Sequence, residues 1–134
     1  MTAITSTSNS NNTKTRTLKT NGSHSKVSLP VADGLRFERL DNIRYLEAAG
    51  NYTFLYFTNG ERLLVCRTLQ EMEDRLASPF RFLRIHRSYL INVDFLERYV
   101  RGKGGYVILE GNTHLTVSAS KRRNFLARLE RYFR

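Results

Sequence analysis

The amino-acid sequence predicts a mainly β fold with one short internal helix and a C-terminal amphipathic helix. Short runs rich in aromatic and β-branched residues recur from residue 37 onward, and turn-forming residues separate them. A capping box that begins at Thr68 marks the internal helix. Apolar residues at helical spacing mark the second helix. A chain of 134 residues has the length of one domain with its own core.

The composition changes at about residue 33. Residues 1–33 contain seventeen Ser, Thr or Asn and no aromatic residue, whereas all fifteen Phe and Tyr lie at or beyond Phe37. A segment of this composition buries too little apolar surface to offset the entropy that ordering removes. We therefore predict a disordered polar and basic tail at residues 1–33 and a folded domain at residues 34–134.

The strand signals follow one another at short intervals. Asn59-Gly60 and Gly111-Asn112 are predicted hairpin turns, because both dipeptides tolerate positive φ angles, and residues 102–105 form a glycine-rich corner. Residues 52–57 are mostly apolar or aromatic, which favours a strand covered on both faces. The predicted strands are residues 37–40, 44–48, 52–57, 61–67, 82–85, 89–91, 95–101, 106–109 and 114–117.

Each helix has a signal of its own. Thr68 and Glu71 have the spacing of a capping box, and the helix that they begin is predicted to end near Ala77, before Pro79. Its apolar residues recur at helical spacing at Leu69, Met72 and Leu76. The C-terminal helix has an apolar stripe of Phe125, Leu126, Leu129, Tyr132 and Phe133.

The start of the C-terminal helix is a candidate binding site. Ser118 or Ser120 is placed to cap it, which leaves Lys121, Arg122 and Arg123 in the first turn. The helix dipole disfavours cations there. An anionic ligand that meets both the free amides and the basic side chains would resolve this conflict.

The net charge indicates a polyanionic partner. Twenty-two Lys and Arg against twelve Asp and Glu give +10, of which residues 1–33 contribute +3 and the folded part +7. Such an excess favours binding to nucleic acid or to an acidic membrane surface. The single Cys66 cannot form an internal disulfide, and one thiol with three scattered histidines predicts no zinc site. We expect a cytoplasmic protein without a cofactor.

Two polar loops are the other candidate sites. In the first, Arg87 suits guanine edges or phosphate, Ser88 can bond a phosphate and His86 can donate to either. His86 is equally suited to hold the loop, and Ser88 to form a turn. In the second loop, Asn51 can read adenine, although Gly50-Asn51 is also a common turn.

The same motifs argue against catalysis. His86 and Ser88 are neighbours in sequence, which is no sign of a catalytic triad, because triad members usually converge from distant positions. Residues 102–105 lack the spacing of a phosphate-binding P-loop. We therefore expect no enzyme activity and no small-molecule substrate.

Several of these motifs, in this order, resemble the LytTR-type DNA-binding domain of bacterial response regulators over about residues 35–130. The resemblance rests on residues 43–48, 50–53 and 67–69, on Val117-Ser118, and above all on Phe82-Leu83-Arg84-Ile85-His86-Arg87-Ser88-Tyr89-Leu90-Ile91-Asn92. It implies an elongated arrangement of small antiparallel sheets that inserts loops into successive major grooves of promoter direct repeats. It therefore implies a sequence-specific regulator that binds double-stranded DNA.

The resemblance also assigns roles to residues. The segment after Ser118 departs from the family pattern, because Ala119 and Ser120 stand where relatives often have arginine. The implied base contacts are Asn51, Tyr52, Thr53, His86, Arg87 and Ser120. The candidate phosphate contacts are Arg84, Ser88, Ser118, Lys121, Arg122 and Arg123.

The resemblance further implies how such a regulator is controlled. Most relatives have a phosphorylatable receiver domain, and here a polar tail stands in its place, so we expect no phosphoryl switch within this chain. Other ways to control such a regulator are dimerisation on adjacent repeats and a separate regulatory partner protein.

Two other functions fit the composition. The first is an RNA or single-stranded nucleic-acid binding module, which requires Tyr52, Tyr56, Tyr99 and Tyr106 to form an exposed stacking platform. The second is a protein-interaction module without affinity for nucleic acid, which the net charge disfavours.

Overall fold

The computed structural model describes residues 26–77 and 81–133, in which ten strands and two α-helices are found. The fold is mainly β, as predicted, and every strand pairing is antiparallel. The strands are β1 (Lys26–Val31), β2 (Gly34–Arg39), β3 (Ile43–Ala49), β4 (Tyr52–Phe57), β5 (Arg62–Val65), β6 (Phe82–His86), β7 (Tyr89–Asn92), β8 (Leu96–Val100), β9 (Tyr106–Leu109) and β10 (Thr113–Thr116). The helices are α1 (Leu69–Arg75) and α2 (Ala119–Tyr132).

Three small sheets make up the architecture. Strands β1 and β2 form a hairpin, and the central sheet has the order β5-β4-β3-β7-β6. The third sheet has the order β10-β9-β8. The Gly111-Asn112 turn between β9 and β10 is confirmed, with φ angles of 90° and 63° in the left-handed region.

The hairpin corrects the predicted disorder of residues 1–33 over residues 26–33. Strand β1 lies within that segment, and Leu29 is fully buried in the core. The Cys66 amide also donates to the Pro30 carbonyl at 2.8 Å, which ties β1 to the end of β5. The prediction averaged composition over 33 residues, and the alternating apolar Val27, Leu29 and Val31 were too few to change that average. Residues 1–25 lie outside the described residues.

At β4 the central sheet has one buried face, called the closed face, and one face that is only partly covered. Thr53, Leu55 and Phe57 are buried, whereas Tyr52 is 47% exposed and the other residues of its face are half-buried. The prediction that both faces of β4 are covered is therefore wrong. Tyr56 stacks on Tyr45 at 4.3 Å between ring centroids. Burial is the main cause that raises the pKa of Tyr45 to about 12.

Helix α1 covers the closed face. Its capping box is confirmed: the Glu71 amide donates to Thr68 Oγ1 at 3.1 Å, and the Thr68 amide donates to Glu71 Oε1 at 2.9 Å. The helix ends at Arg75, just before the predicted end near Ala77. The first core consists of Leu29, Leu40, Ile43, Leu46, Leu55, Phe57, Val65, Leu69, Met72, Leu76, Phe82 and Leu90.

Helix α2 belongs to a second core, which joins the third sheet to β6 and β7. Phe125 is fully buried and packs edge-on against Tyr99, with ring centroids 5.9 Å apart. Leu126 and Phe133 are exposed, so the buried stripe is narrower than predicted. The second core consists of Leu83, Ile85, Ile91, Val93, Val107, Leu109, Leu115, Val117 and Phe125.

Candidate nucleic-acid interface

Two of the predicted loops lie at the same end of the central sheet. Strand β3 ends at Ala49 and β7 begins at Tyr89, and the two strands run antiparallel. The turn after β3 is therefore next to the turn before β7. The Ala48 amide donates to the Ser88 carbonyl at 2.9 Å, which ties the last residues of β3 to the turn before β7.

The start of α2 lies beside these turns. The β6–β7 pairing shifts register between Arg84 and His86, so Ile85 is left out of the ladder. Its carbonyl accepts from the Ser118 amide at 2.8 Å. We call residues 50–53, 86–88 and 118–123 together the loop edge. The structure thus brings all three predicted segments side by side.

The turn at residues 86–88 is held by the guanidinium of Arg84. Its Nε donates to the His86 carbonyl at 2.9 Å and its Nη2 to the Arg87 carbonyl at 2.7 Å. Its Nη1 donates to Glu73 of α1 at 2.6 Å, and the Arg84 side chain is only 13% exposed. All three nitrogens therefore bond within the protein. This arrangement favours a role in shaping the turn over the phosphate contact predicted for Arg84.

His86 and Ser88 also shape the turn. The Ser88 amide donates to His86 Nδ1 at 3.0 Å. Because Nδ1 accepts, a neutral His86 has its proton on Nε2, which stays a donor. The Nδ1 side of the ring thus holds the turn, as one of the two interpretations of His86 expected. Arg87 is exposed at the tip of the turn.

The turn at residues 50–53 is exposed in its first part only. Gly50 adopts a φ of 64°, and Asn51 and Tyr52 are exposed. Thr53 is fully buried, and its hydroxyl donates to the Arg67 carbonyl at 2.8 Å. A side chain in that position cannot reach a base edge, so the predicted base contact by Thr53 is not supported. In β4 its neighbours Tyr52 and Phe54 point to the opposite face.

The start of α2 has the composition of an anion site. Ser118 occupies the N-cap position, but its hydroxyl makes no capping hydrogen bond and lies 3.4 Å from the Ser120 hydroxyl. No acidic residue lies in the first turn, and Lys121 and Arg122 are half-buried there. Within the described residues, the buried Arg122 Nε has no hydrogen-bond partner. Arg123 is exposed.

Comparison with known proteins identifies the family of this chain. The family model described as the LytTR DNA-binding domain matches residues 33–130. The chain belongs to the LytTR family. It is similar to the CO-responsive transcriptional regulator RcoM of Rhodospirillum rubrum, with 31% identity over 86 residues. That match covers 63% of this chain and 36% of the regulator, so the chain spans about a third of its relative.

A solved structure supports the same fold. The LytTR DNA-binding domain of a response regulator from Bacillus cereus superposes with a TM-score of 0.67 at 24% identity. The superposition covers 78% of this chain and 96% of that domain. The mainly β fold of small antiparallel sheets, which the resemblance implied, is therefore confirmed.

The LytTR domain does not display the tyrosine platform that single-strand binding requires. Tyr52 and Tyr56 belong to the central sheet, whereas Tyr99 and Tyr106 belong to the third sheet. Three of the four contact other rings: Tyr56 stacks on Tyr45, Tyr99 packs against Phe125, and Tyr106 stacks on His114. The requirement for the single-strand alternative is therefore not met.

Sequence reasoning missed two residues of this LytTR site. Glu73 pairs with Arg84 across eleven positions of the chain, and Arg67 accepts from Thr53 while its buried Nε has no partner among the described residues. Glu73 lies in a helix, where an exposed carboxylate is expected to face solvent, so nothing in the sequence indicated that it pairs with Arg84. Arg67 was part of the family motif, but that motif assigned it no role.

The part of the chain that the structure describes holds no cluster suited to a metal ion and no membrane-spanning helix. No group of three or more His, Cys, Asp or Glu is arranged to hold a metal ion among residues 26–77 and 81–133. Neither of the helices described in this LytTR domain is long and apolar enough to span a bilayer.

Proposed function

We propose that this LytTR domain is a sequence-specific transcription regulator that inserts its loop edge into successive major grooves of promoter direct repeats. The single observation that carries this proposal is the turn at residues 86–88, where an exposed Arg87 is presented by a backbone held in place. Arg84 bonds two carbonyls of that turn, and Ala48 bonds the third. A fixed backbone lets one side chain discriminate between bases.

The proposed base-reading residues are the exposed ones at the loop edge. The guanidinium of Arg87 matches the two acceptors of guanine, and the amide of Asn51 matches adenine. His86 can donate through Nε2, and Tyr52 and Ser120 are exposed beside them. Thr53 is omitted from this set because it is buried.

The proposed phosphate contacts come from the start of α2 and from Ser88. The amides at the start of a helix attract anions, and here Lys121, Arg122 and Arg123 add positive charge. Such contacts position the protein without reading sequence. The net charge of +10 supports binding to DNA as a polyanion.

The regulatory part of the proposal rests on the relative. RcoM is by its name a transcriptional regulator, and the matched residues are those of the LytTR domain. We do not extend its response to CO to this chain, because the match covers 36% of that protein. Control by dimerisation on adjacent repeats or by a separate partner protein remains part of the proposal.

The test is selection of binding sites from a genomic double-stranded DNA library at moderate salt, with single-stranded DNA and RNA as competitors. A repeated duplex motif is expected among the retained fragments, and changing the spacing of its two halves should weaken binding by a dimer. Retention without sequence preference, or displacement by single strands, would contradict the proposal. The Arg87→Ala variant is the control that should lose the motif.

A further inference from the structure

The connection between β8 and β9 is basic, exposed and rich in glycine. It reads Arg101-Gly102-Lys103-Gly104-Gly105, and residues 101–104 are exposed. Gly102 and Gly104 adopt φ angles of 128° and 72°, which side chains disfavour. None of the roles assigned above uses this connection, which we call the glycine loop.

Hydrogen bonds place the glycine loop beside the loop edge. The Val117 amide donates to the Gly105 carbonyl at 2.9 Å, and the next amide, that of Ser118, donates to the Ile85 carbonyl at 2.8 Å. Two consecutive residues therefore join the glycine loop on one side to the base of the 86–88 turn on the other. Strand pairing agrees, because Thr116 at the end of β10 is opposite Tyr106 at the start of β9.

The base of the glycine loop is closely packed. A Cβ added at Gly105 would lie 3.2 Å from the Val100 carbonyl oxygen and 3.3 Å from the Tyr99 hydroxyl. Close packing at Gly105 therefore holds the base of the loop against β8. Its two cations project from a short, anchored connection.

The charges of the glycine loop are not neutralised within the described residues. Arg36, Arg81 and Arg84 form salt bridges, whereas Arg101 and Lys103 form none with residues 26–77 or 81–133. Two unpaired cations beside a proposed phosphate site extend its positive surface. A polyanion that lies along the loop edge would meet both.

We propose that the glycine loop is a fourth DNA-contacting element, in which Arg101 and Lys103 contact duplex phosphates next to those bound by the start of α2. This inference rests on the proposed DNA-binding function. The glycines of the loop also favour this contact, because the absence of side chains lets the backbone approach the phosphates closely. The contacts add affinity and leave sequence preference unchanged.

The test compares two double variants that each remove two positive charges. Arg101→Ala with Lys103→Ala removes the proposed contacts. Lys26→Ala with Arg131→Ala is the matched control, since both residues are exposed and lie away from the loop edge. Arg131 is ten residues beyond Lys121 on α2, about 15 Å along the helix axis. Lys26 pairs with Arg39, which precedes the start of β3. The loop edge lies at the other end of that strand.

The readout is the dependence of duplex binding on salt concentration. Loss of two phosphate contacts should lower the slope of log K against log salt by about 1.8. Affinity should fall roughly 25-fold at physiological salt, about fivefold for each contact, on selected and random duplexes alike. The control double variant should keep the wild-type slope, and thermal unfolding should show that both variants are folded.

Each other outcome is decisive. Equal slopes for the two double variants would overturn the glycine-loop proposal and leave the regulator proposal intact. A loss confined to the selected sequence would overturn the assignment to phosphate. If the unaltered protein shows no salt-dependent duplex binding, the proposed function itself fails, and the inference fails with it.

Discussion

The turn at residues 86–88 and the glycine loop lie at the same edge of the molecule but are built in opposite ways. In the turn, the three carbonyls of residues 86–88 accept hydrogen bonds from Arg84 or Ala48, and one exposed side chain projects. In the glycine loop, three of five residues have no side chain, and Gly105 anchors the exit.

The difference matches two tasks in DNA recognition. Reading a base edge needs hydrogen-bond geometry fixed to within a fraction of an ångström, whereas attraction to phosphate tolerates a range of positions. We therefore expect the braced turn to determine selectivity and the flanking basic segments to determine general affinity.

The largest effect is expected for Arg87→Ala. Loss of a bidentate contact should weaken binding to the selected duplex by about 1–3 kcal/mol and reduce its advantage over random DNA. Competition binding with selected and random duplexes measures both. Arg87→Lys keeps the charge without the planar fork, so it should restore affinity for random DNA and not selectivity. Equal losses on both duplexes would refute base reading by Arg87.

A smaller effect is expected for Arg84→Met, which removes the three hydrogen bonds that hold the turn. The selected duplex should lose about tenfold in affinity, because the charged guanidinium no longer holds the turn through its hydrogen bonds, while random DNA loses little. Glu73→Gln, which leaves both carbonyl bonds, is the milder control. A uniform loss with a lower salt slope would instead restore the phosphate contact first predicted for Arg84.

A uniform effect is expected for Arg122→Ala at the start of α2. Removing one phosphate contact should lower the salt slope by about 0.9 and weaken all duplexes about fivefold. Filter binding over a range of salt concentrations measures this. Arg131→Ala, at the other end of the helix, should leave the slope unchanged. A change in the preferred sequence would contradict the proposed division.

The smallest effect concerns α1, which supplies Glu73 to the turn. The backbone hydrogen bond from Thr68 is the main cause that lowers the pKa of Glu71. A carboxylate with a lowered folded pKa stabilises the fold above its unfolded pKa, and that contribution is lost as pH falls through the folded pKa. Urea unfolding at neutral and acidic pH should therefore show a smaller pH dependence for Glu71→Gln. An unchanged pH dependence would show that Glu71 does not contribute to the pH dependence of stability.

Much of the fold was predictable because its signals are local. Residues 52–57 and 106–109 are strands with the predicted bounds, and the capping box of Thr68 and Glu71 forms as expected. The Gly111-Asn112 turn belongs to the same class. Propensity, spacing and turn chemistry act over a few residues, so they are legible without knowledge of the rest of the chain.

The candidate site was predictable only in part. The three segments of the loop edge were named from sequence, and they lie together. The roles of residues in these segments, and that of the neighbouring Arg84, depended on burial, which the resemblance did not show for Thr53 and Arg84. Both residues are polar, and polarity alone does not tell whether a side chain bonds solvent or protein.

The sequence by itself determined where most strands and both helices occur, the basic character of the folded part and the LytTR pattern. Only the tertiary structure decided that β1 joins the core, that Glu73 reaches Arg84 and that the glycine loop lies beside the start of α2. These features depend on strand register, on the irregularity at Ile85 and on contacts between distant segments. Such contacts form when the sheets pack, and no local pattern encodes them.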